Sequence, residues 1–224
     1  MMNKFAIIVA GGTGSRIGSE LPKQFLQLKG LPILMYSLKA FHRYDSSIKL
    51  LVSLHPDYLE TWKTLCIQYG FNLDHQVIAG GDTRYQSVNN ALSTLPESGL
   101  IAVHDAARPL VTVDLIERSF HEAARFSSSV PCIPVNETVR QTINDKVILV
   151  DRRSLRIIQT PQVFEASVLH HAYKQEFDTT FTDDASLLEA MGIQPHLTEG
   201  DPRNIKITIP SDIRVAEALL DELQ

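Results

Sequence analysis

Phe5-Ala6-Ile7-Ile8-Val9-Ala10-Gly11-Gly12-Thr13-Gly14-Ser15-Arg16 sets the frame for the whole chain. Six apolar residues with no polar alternation describe a strand buried on both faces, as in a parallel sheet covered by helices. Gly11, Gly12, Gly14 and Gly18 crowd the positions right after it, although the 224 residues include only 11 glycines. At the carboxyl end of a buried strand, residues without a Cβ let backbone N–H groups turn toward a phosphate and approach it closely. The other reading of glycines alone is a tight strand-to-helix turn with no ligand.

The neighbouring residues choose between the two. Ile17 stands where a dinucleotide fingerprint needs Gly or Ala, and the second strand ends Ser53-Leu54-His55 without an acid, so a nicotinamide or flavin oxidoreductase is disfavoured. No Gly-Lys-Ser/Thr follows, which excludes a Walker A loop. Arg16 does follow, and then Pro22-Lys23-Gln24, in which the proline restricts the backbone just before the lysine. Two fixed cations beside a glycine loop describe a triphosphate clamp.

Outward from this segment the pattern repeats. Residues 48–54, 77–79, 100–105 and 130–135 read as further strands, and residues 34–41, 58–69, 87–95 and 115–126 as helices between them. Pro56 lies near the start of the second helix and Gly70 at its end. This is an α/β chain, a mainly parallel twisted sheet flanked by helices, with no linker dividing residues 1–224. Segments 137–141 and 146–151 flank Asn144-Asp145, a hairpin turn, and are too polar on one face for a central strand. They predict a β-hairpin arm at about 136–156. Helices at 165–174 and 183–191, a strand at 204–209 and a closing helix at 212–223 capped by Ser211 complete the reading.

Composition sets the outer limits. With 44% hydrophobic and 21% charged residues the chain is an ordinary folded protein. Its net charge of −5 gives no diffuse attraction to nucleic acid or to an anionic membrane. The two cysteines, Cys66 and Cys132, lack ligand spacing and read as reduced, buried thiols. The apolar run 5–10 is too short for a transmembrane helix and lacks signal-peptide architecture, so a cytoplasmic protein is expected.

The glycine loop with Pro22-Lys23-Gln24 resembles the signature of sugar-phosphate and polyol-phosphate nucleotidylyltransferases. Gly80-Gly81-Asp82-Thr83-Arg84-Tyr85-Gln86-Ser87-Val88, His104-Asp105-Ala106-Ala107-Arg108-Pro109, Thr160-Pro161-Gln162, Thr182-Asp183-Asp184-Ala185-Ser186 and Asn204-Ile205-Lys206 narrow it. In this order they resemble the 2-C-methyl-D-erythritol 4-phosphate cytidylyltransferases of the non-mevalonate isoprenoid route. The resemblance implies a Rossmann-like nucleotidyltransferase fold, CTP and a polyol phosphate as substrates, Mg²⁺ as cofactor, and pyrophosphate as leaving group.

It also distributes roles. Gly11 and Gly12 would form the backbone cradle, with Arg16, Lys23 and Lys206 on the reacting phosphates. Ala10, Gly81, Asp82 and Ser87 would form the base pocket, Asp105 and Ala106 would face the ribose, and Asp105 would also serve the metal. Arg108, Thr160 and Thr182 would meet the acceptor, while Thr138 and Arg152 on the arm would reach the partner's acceptor site in a homodimer. Read without the family, Asp82 or Thr83 caps a helix, Thr182 is an N-cap, Asp105 caps a turn or pairs with Arg108, and Lys206 faces solvent. His104 reads as a packed or backbone-bonded histidine, because attack by a phosphate anion needs no protein acid or base. Val9 and Gly11 stand where this family usually has Pro and Ala, closer to ribitol 5-phosphate cytidylyltransferases, whereas the acceptor-side motifs favour methylerythritol phosphate. A nucleotide sensor without turnover would not need Arg16, Lys23, Asp105 and Lys206 together.

Overall fold

The computed structural model describes residues 2–11 and 22–222. Along them run β1 (Lys4–Ala10), β2 (Gln27–Leu28), β3 (Leu31–Pro32), α1 (Ile33–Tyr44), β4 (Lys49–Leu54), α2 (Leu59–Gln68), β5 (Gln76–Ala79), α3 (Arg84–Leu92), β6 (Leu100–Asp105) and α4 (Val113–Phe126). Then follow β7 (Ser128–Pro134), β8 (Arg140–Ile143), β9 (Lys146–Leu149), β10 (Arg156–Ile158), β11 (Gln162–Glu165), α5 (Ala166–Ala172), α6 (Asp184–Ala190), β12 (Leu197–Glu199) and α7 (Pro210–Glu222). The main sheet has the order β10-β7-β11-β6-β1-β4-β5, with β12 also paired to β7. Its centre is parallel, β6-β1-β4-β5, while β11 runs antiparallel between β6 and β7. The chain is thus α/β with a parallel core in a mixed sheet.

Alternation along the central strands supplies two cores. Phe5 and Ile7 of β1 join Leu51, Ile101 and Val103 on one face, packed by α3, α5 and α6. Ala6, Ile8 and Ala10 join Leu50, Val52, Leu100 and Ala102 on the other, under α1 and α4. Each large side chain withdrawn from water there contributes about 1.5–3 kcal/mol, which fixes the register and therefore the level at which every strand ends. α4 shows the local logic: Leu115, Ile116, Ser119, Phe120 and Ala123 form its buried stripe. Thr112 caps its start by accepting from Leu115 N at 3.2 Å, and Ser127 ends it at φ 63°.

The arm forms as expected, though its first strand starts later, at Arg140, beyond which one further bond, Val150 N to Val139 O at 3.2 Å, extends the pairing. Asn144 and Asp145 both have positive φ, 47° and 62°, the two left-handed residues of a type I′ hairpin turn. Four other expectations are corrected. Residues 204–209 form no strand: Ile207 N donates to Ala107 O at 2.8 Å, in the loop just past the end of β6. α7 begins at Pro210, and its entry is capped from inside by Asp212, whose carboxylate accepts from Thr208 N and Ile209 N, so Ser211 is not the cap. Asp183, not Thr182, caps α6, in a reciprocal box with Ser186. Cys66 and Cys132 are free thiols but only partly buried, and burial pushes the Cys66 thiol up to about 11. No helix among the described residues is long and apolar enough to cross a membrane.

Candidate active site

β1, β4, β5 and β6 end side by side, and a cavity of about 400 Å³ opens where they end. Ligands of open α/β sheets collect at this edge because the loops there are free to diverge. From the expected nucleotide set its wall gathers Ala10, Gly11, Gly81, Asp82, Ser87, Asp105 and Ala106, and from the cations Lys23 and Lys206. Gly12 and Arg16 lie outside the described residues. A larger cavity of about 750 Å³ lies at the opposite strand ends, beside Lys4, Asp45 and Leu100, and contains none of these residues.

The base loop is tight. A Cβ on Gly11 would lie 2.9 Å from Ser87 Oγ, and one on Gly81 only 2.5 Å from the Gln86 Cβ, so main chain lines the cavity at both places. Ser87 Oγ accepts from Gly81 N at 3.2 Å and donates to Thr83 O at 2.9 Å, which ties the loop onto α3. Thr83 caps that helix, accepting from Gln86 N at 3.1 Å; Asp82 does not, and its side chain stands at the cavity. Gln24, buried, donates to Ala10 O at 2.7 Å and so fastens the Lys23–Phe25 turn against the end of β1.

Asp105 is the electrostatic centre. Its Oδ2 lies 2.7 Å from Lys206 Nζ and its Oδ1 accepts from Arg84 Nε at 3.3 Å. Burial alone would raise its pKa, but Arg84, Lys206 and Arg108 hold the carboxyl far below the usual carboxylate range. Lys206 is brought there by a stitched segment: Asn204 Nδ2 donates to Thr160 O at 2.8 Å, Arg108 donates to Asn204 O at 2.7 Å, and Ile207 N reaches Ala107. Lys23 Nζ donates to Ile207 O at 3.2 Å, so both lysines converge on one short stretch of main chain.

Arg108 and Thr160 are not on the cavity wall. The Arg108 guanidinium, 8% exposed, turns to the carbonyls of Asn204 and Ile158. Thr160 stands beneath Asp105, whose backbone N–H donates to its hydroxyl at 3.1 Å. The hydroxyl meets His104 Nδ1, and His104 Nε2 faces Arg108 O, both at 3.1 Å. A carbonyl can only accept, so Nε2 carries the proton and Nδ1 receives the threonine hydroxyl. The expected packed histidine is thus a strut. Thr182 is exposed and off the wall, and Thr138 and Arg152 line a separate cavity of about 450 Å³ on the arm. Arg84, expected from sequence to support the loop or the phosphates, lines the nucleotide cavity, and so does His55, to which the sequence assigned no role. His55 closes β4 at the level where its neighbours carry the site, and that level was its only signal.

His104 gives a pH prediction. Burial, chiefly, lowers its pKa from 6.5 to about 4. The unfolded chain therefore takes up the proton first, and the stability this imidazole contributes is complete above about 6.5 and lost as pH falls toward 4. Between pH 7 and 5 the unfolding free energy drops by about 2 kcal/mol from this group. Urea melts at the two values read the drop, and an imidazole NMR titration with a midpoint near 6.5 would refute it.

The wall carries two carboxylates, Asp82 and Asp105, and among the described residues no group of three or more His, Cys, Asp or Glu side chains gathers to hold a metal. Mg²⁺ keeps several waters and is commonly held by one or two carboxylates plus substrate phosphates. So small a set of carboxylates at the cavity suits an ion that arrives with a nucleotide.

Comparison with known proteins adds an independent line. A family model described as 2-C-methyl-D-erythritol 4-phosphate cytidylyltransferase matches residues 4–222. The enzyme of that name from Bacteroides fragilis is 46% identical over 219 residues, covering 98% of this chain and 100% of the relative. The crystal structure of the Thermus thermophilus cytidylyltransferase superposes with TM-score 0.77 at 32% identity, over 99% of this chain and 100% of the other. That from Francisella tularensis gives 0.80 at 30% identity, over 97% and 99%.

Proposed function

The chain belongs to the 2-C-methyl-D-erythritol 4-phosphate cytidylyltransferase family, nucleotidyltransferases of the non-mevalonate isoprenoid pathway, and from that premise we propose how its cavity carries the reaction. CTP lies at the carboxyl edge of β1, β4, β5 and β6, and the phosphate of 2-C-methyl-D-erythritol 4-phosphate attacks its α-phosphorus. The new bond joins that oxygen to phosphorus, the bond to the β-phosphate oxygen breaks, and pyrophosphate leaves with the electron pair. The observation that carries this reading is the convergence of Lys23, Lys206 and Asp105 on one end of the cavity.

A phosphate monoester is already an anion near neutrality, so the protein positions two polyanions and neutralises the charge that builds between them. Lys23 and Lys206, with Arg16, are the catalytic cations; neutral His104 beneath the site moves no proton. Loop carbonyls near Gly81 and Ala10 accept from the cytosine amine, and the Ser87 hydroxyl and main-chain N–H groups at Gly11 and Gly12 serve the base and phosphates. Asp82 supports the base loop, and Asp105 and Ala106 take the ribose. Bound Mg²⁺ would be held by Asp105 and the triphosphate and would supply positive charge to the phosphate oxygens. Thr160 and Arg108 act from below, by holding the segment that presents Lys206, while Thr182 meets the acceptor.

The arm completes the acceptor site in a cytoplasmic homodimer. Among the described residues β8 and β9 pair only with each other, and Ile143, Val147, Ile148 and Leu149 are exposed, 65% for Val147 and Leu149. An isolated two-stranded hairpin is marginal in water. Alternation puts Val147 and Leu149 on one face and Ile143 and Ile148 on the other, so apolar side chains on both faces call for a covering surface. In the proposed dimer the arm lies on the partner and carries Thr138 and Arg152 to the partner's site.

The assay is direct: purified protein with CTP and Mg²⁺ releases pyrophosphate when methylerythritol phosphate is added. Release with ribitol 5-phosphate alone would reassign the acceptor, and release with neither would remove the enzymatic reading.

A further inference from the structure

Asp184 is an acid with no exposed surface, lying at the first turn of α6. Its Oδ2 accepts from Arg84 Nη2 at 2.6 Å and its Oδ1 from the Tyr173 hydroxyl at 2.6 Å. Its backbone N–H donates to Gln162 Oε1 at 3.1 Å. Burial and the adjacent carboxylate keep the Tyr173 phenol well above its usual pKa, so it remains a donor. A buried ion pair of this kind adds little net stability over apolar residues of the same size, because desolvation offsets the attraction. Its presence therefore calls for a reason other than stability.

The geometry of Arg84 supplies one. This guanidinium holds two carboxylates unequally, with the short bond to Asp184 and the long one, 3.3 Å, to Asp105. Arginine closes most readily as a two-pronged fork on a single carboxylate, and a fork on Asp105 would occupy the oxygens that face the cavity. Burial works against the Arg84 charge, but Asp184 and Asp105 outweigh it and raise its pKa well above the ordinary value. Tyr85, next in sequence, stacks on Tyr173 at 4.9 Å, and its hydroxyl lies 2.9 Å and 2.7 Å from the carbonyls of Tyr173 and Gln175. The start of α3 and the end of α5 thus hold Arg84 and Asp184 in one frame.

We propose that Asp184 is a positioning residue for the nucleotide site: by anchoring Arg84 it keeps that guanidinium from closing on Asp105, leaving the Asp105 carboxylate for the nucleotide and its metal. The proposal rests on the cytidylyltransferase reading above. Asp184 itself touches no substrate; it acts through Arg84.

The test is a double-mutant cycle read by CTP binding. Asp184→Asn keeps the shape and removes the anchoring charge, so Arg84 turns onto Asp105. The Kd of Mg–CTP by calorimetry and the KM for CTP should both rise about tenfold, with kcat changing less than about threefold, the size expected for a charge-assisted contact. In an Arg84→Gln background the same substitution should add less than about twofold, since the route to Asp105 is gone. Tyr173→Phe, which removes one hydrogen bond and no charge, should weaken CTP by about twofold to threefold and carries the test if Asp184→Asn does not fold. A lowered melting temperature with CTP affinity unchanged in the folded variants would overturn the proposal. A full tenfold loss persisting without Arg84 would do so as well. Failure of the wild type to bind CTP would instead remove the reading on which the proposal rests.

Discussion

Lys23→Ala lowers kcat about a thousandfold and leaves the chain folded, in line with the loss of one preorganised donor aimed at developing charge. The expectation follows from where the turn is fastened. Gln24 and Phe25, each 2% exposed, hold it from the protein side, Gln24 through Ala10 O and Phe25 against Trp62 at a ring separation of 6.2 Å. Removing the lysine stem disturbs neither anchor, so circular dichroism and the melting temperature should change little. In the ground state CTP retains its other contacts, and KM for CTP should rise far less than kcat falls. Single-turnover measurement with saturating CTP separates the two, and a fall in kcat of less than tenfold would show that the cation acting on the reacting phosphate lies elsewhere.

Arg152→Ala is the second large effect, and its argument runs through the partner. Arg152 lies at the far end of the arm from Thr138 in sequence, exposed, with its guanidinium donating to Asn136 O. If it reaches the acceptor phosphate of the other protomer, its loss costs a charge-assisted pair and raises KM for the polyol phosphate about a hundredfold, with KM for CTP unchanged. The trans arrangement makes a sharper prediction. With acceptor held well below the raised KM, Lys23→Ala and Arg152→Ala homodimers each turn over at no more than a few per cent of the wild-type rate, but a mixed dimer contains one site with both residues intact. With random re-association half the dimers are mixed, and activity should return to about a quarter of wild type. No recovery after unfolding and refolding the mixture would mean that Lys23 and Arg152 serve the same protomer's site, or that no such dimer forms.

Much of this site could be read from residue order because its parts stand at one physical level. Phe5 to Ala10 and Leu100 to Val103 are apolar on both faces, the pattern of a strand covered on both sides, as in a parallel sheet under helices. Once those strands are aligned, whatever follows them lies at a common edge, which is why Gly11, Gly81 and Asp105 share one cavity wall. β11 was not legible: Gln162-Val163-Phe164-Glu165 is four residues long with polar ends, and only its insertion between β6 and β7 makes it a strand. Residues 204–209 misled in the opposite sense, since Ile205 and Ile207 alternate like a strand while their main chain is held by the Arg108 guanidinium, Ala107 and Lys23. The divided contact of Arg84 leaves no local pattern in the sequence, because its two acids, Asp105 and Asp184, stand far apart along the chain.

The way Lys206 is delivered has a consequence for how the protein is made. The last strand of the sheet ends at Glu199, and the two central cores are built from residues that precede it, while a third cluster of Leu28, Ile33 and Leu110 is closed by Ile207, Ala216 and Leu220. A nascent chain that has emerged to this point already contains the whole sheet and most of the nucleotide cavity, but not the lysine 2.7 Å from Asp105. Only when residues 201–209 thread back beneath Thr160 and across Ala107 does the charge at the cavity become complete. During synthesis, catalytic competence therefore arrives late, after the central sheet has emerged and together with the C-terminal segment that packs beside it.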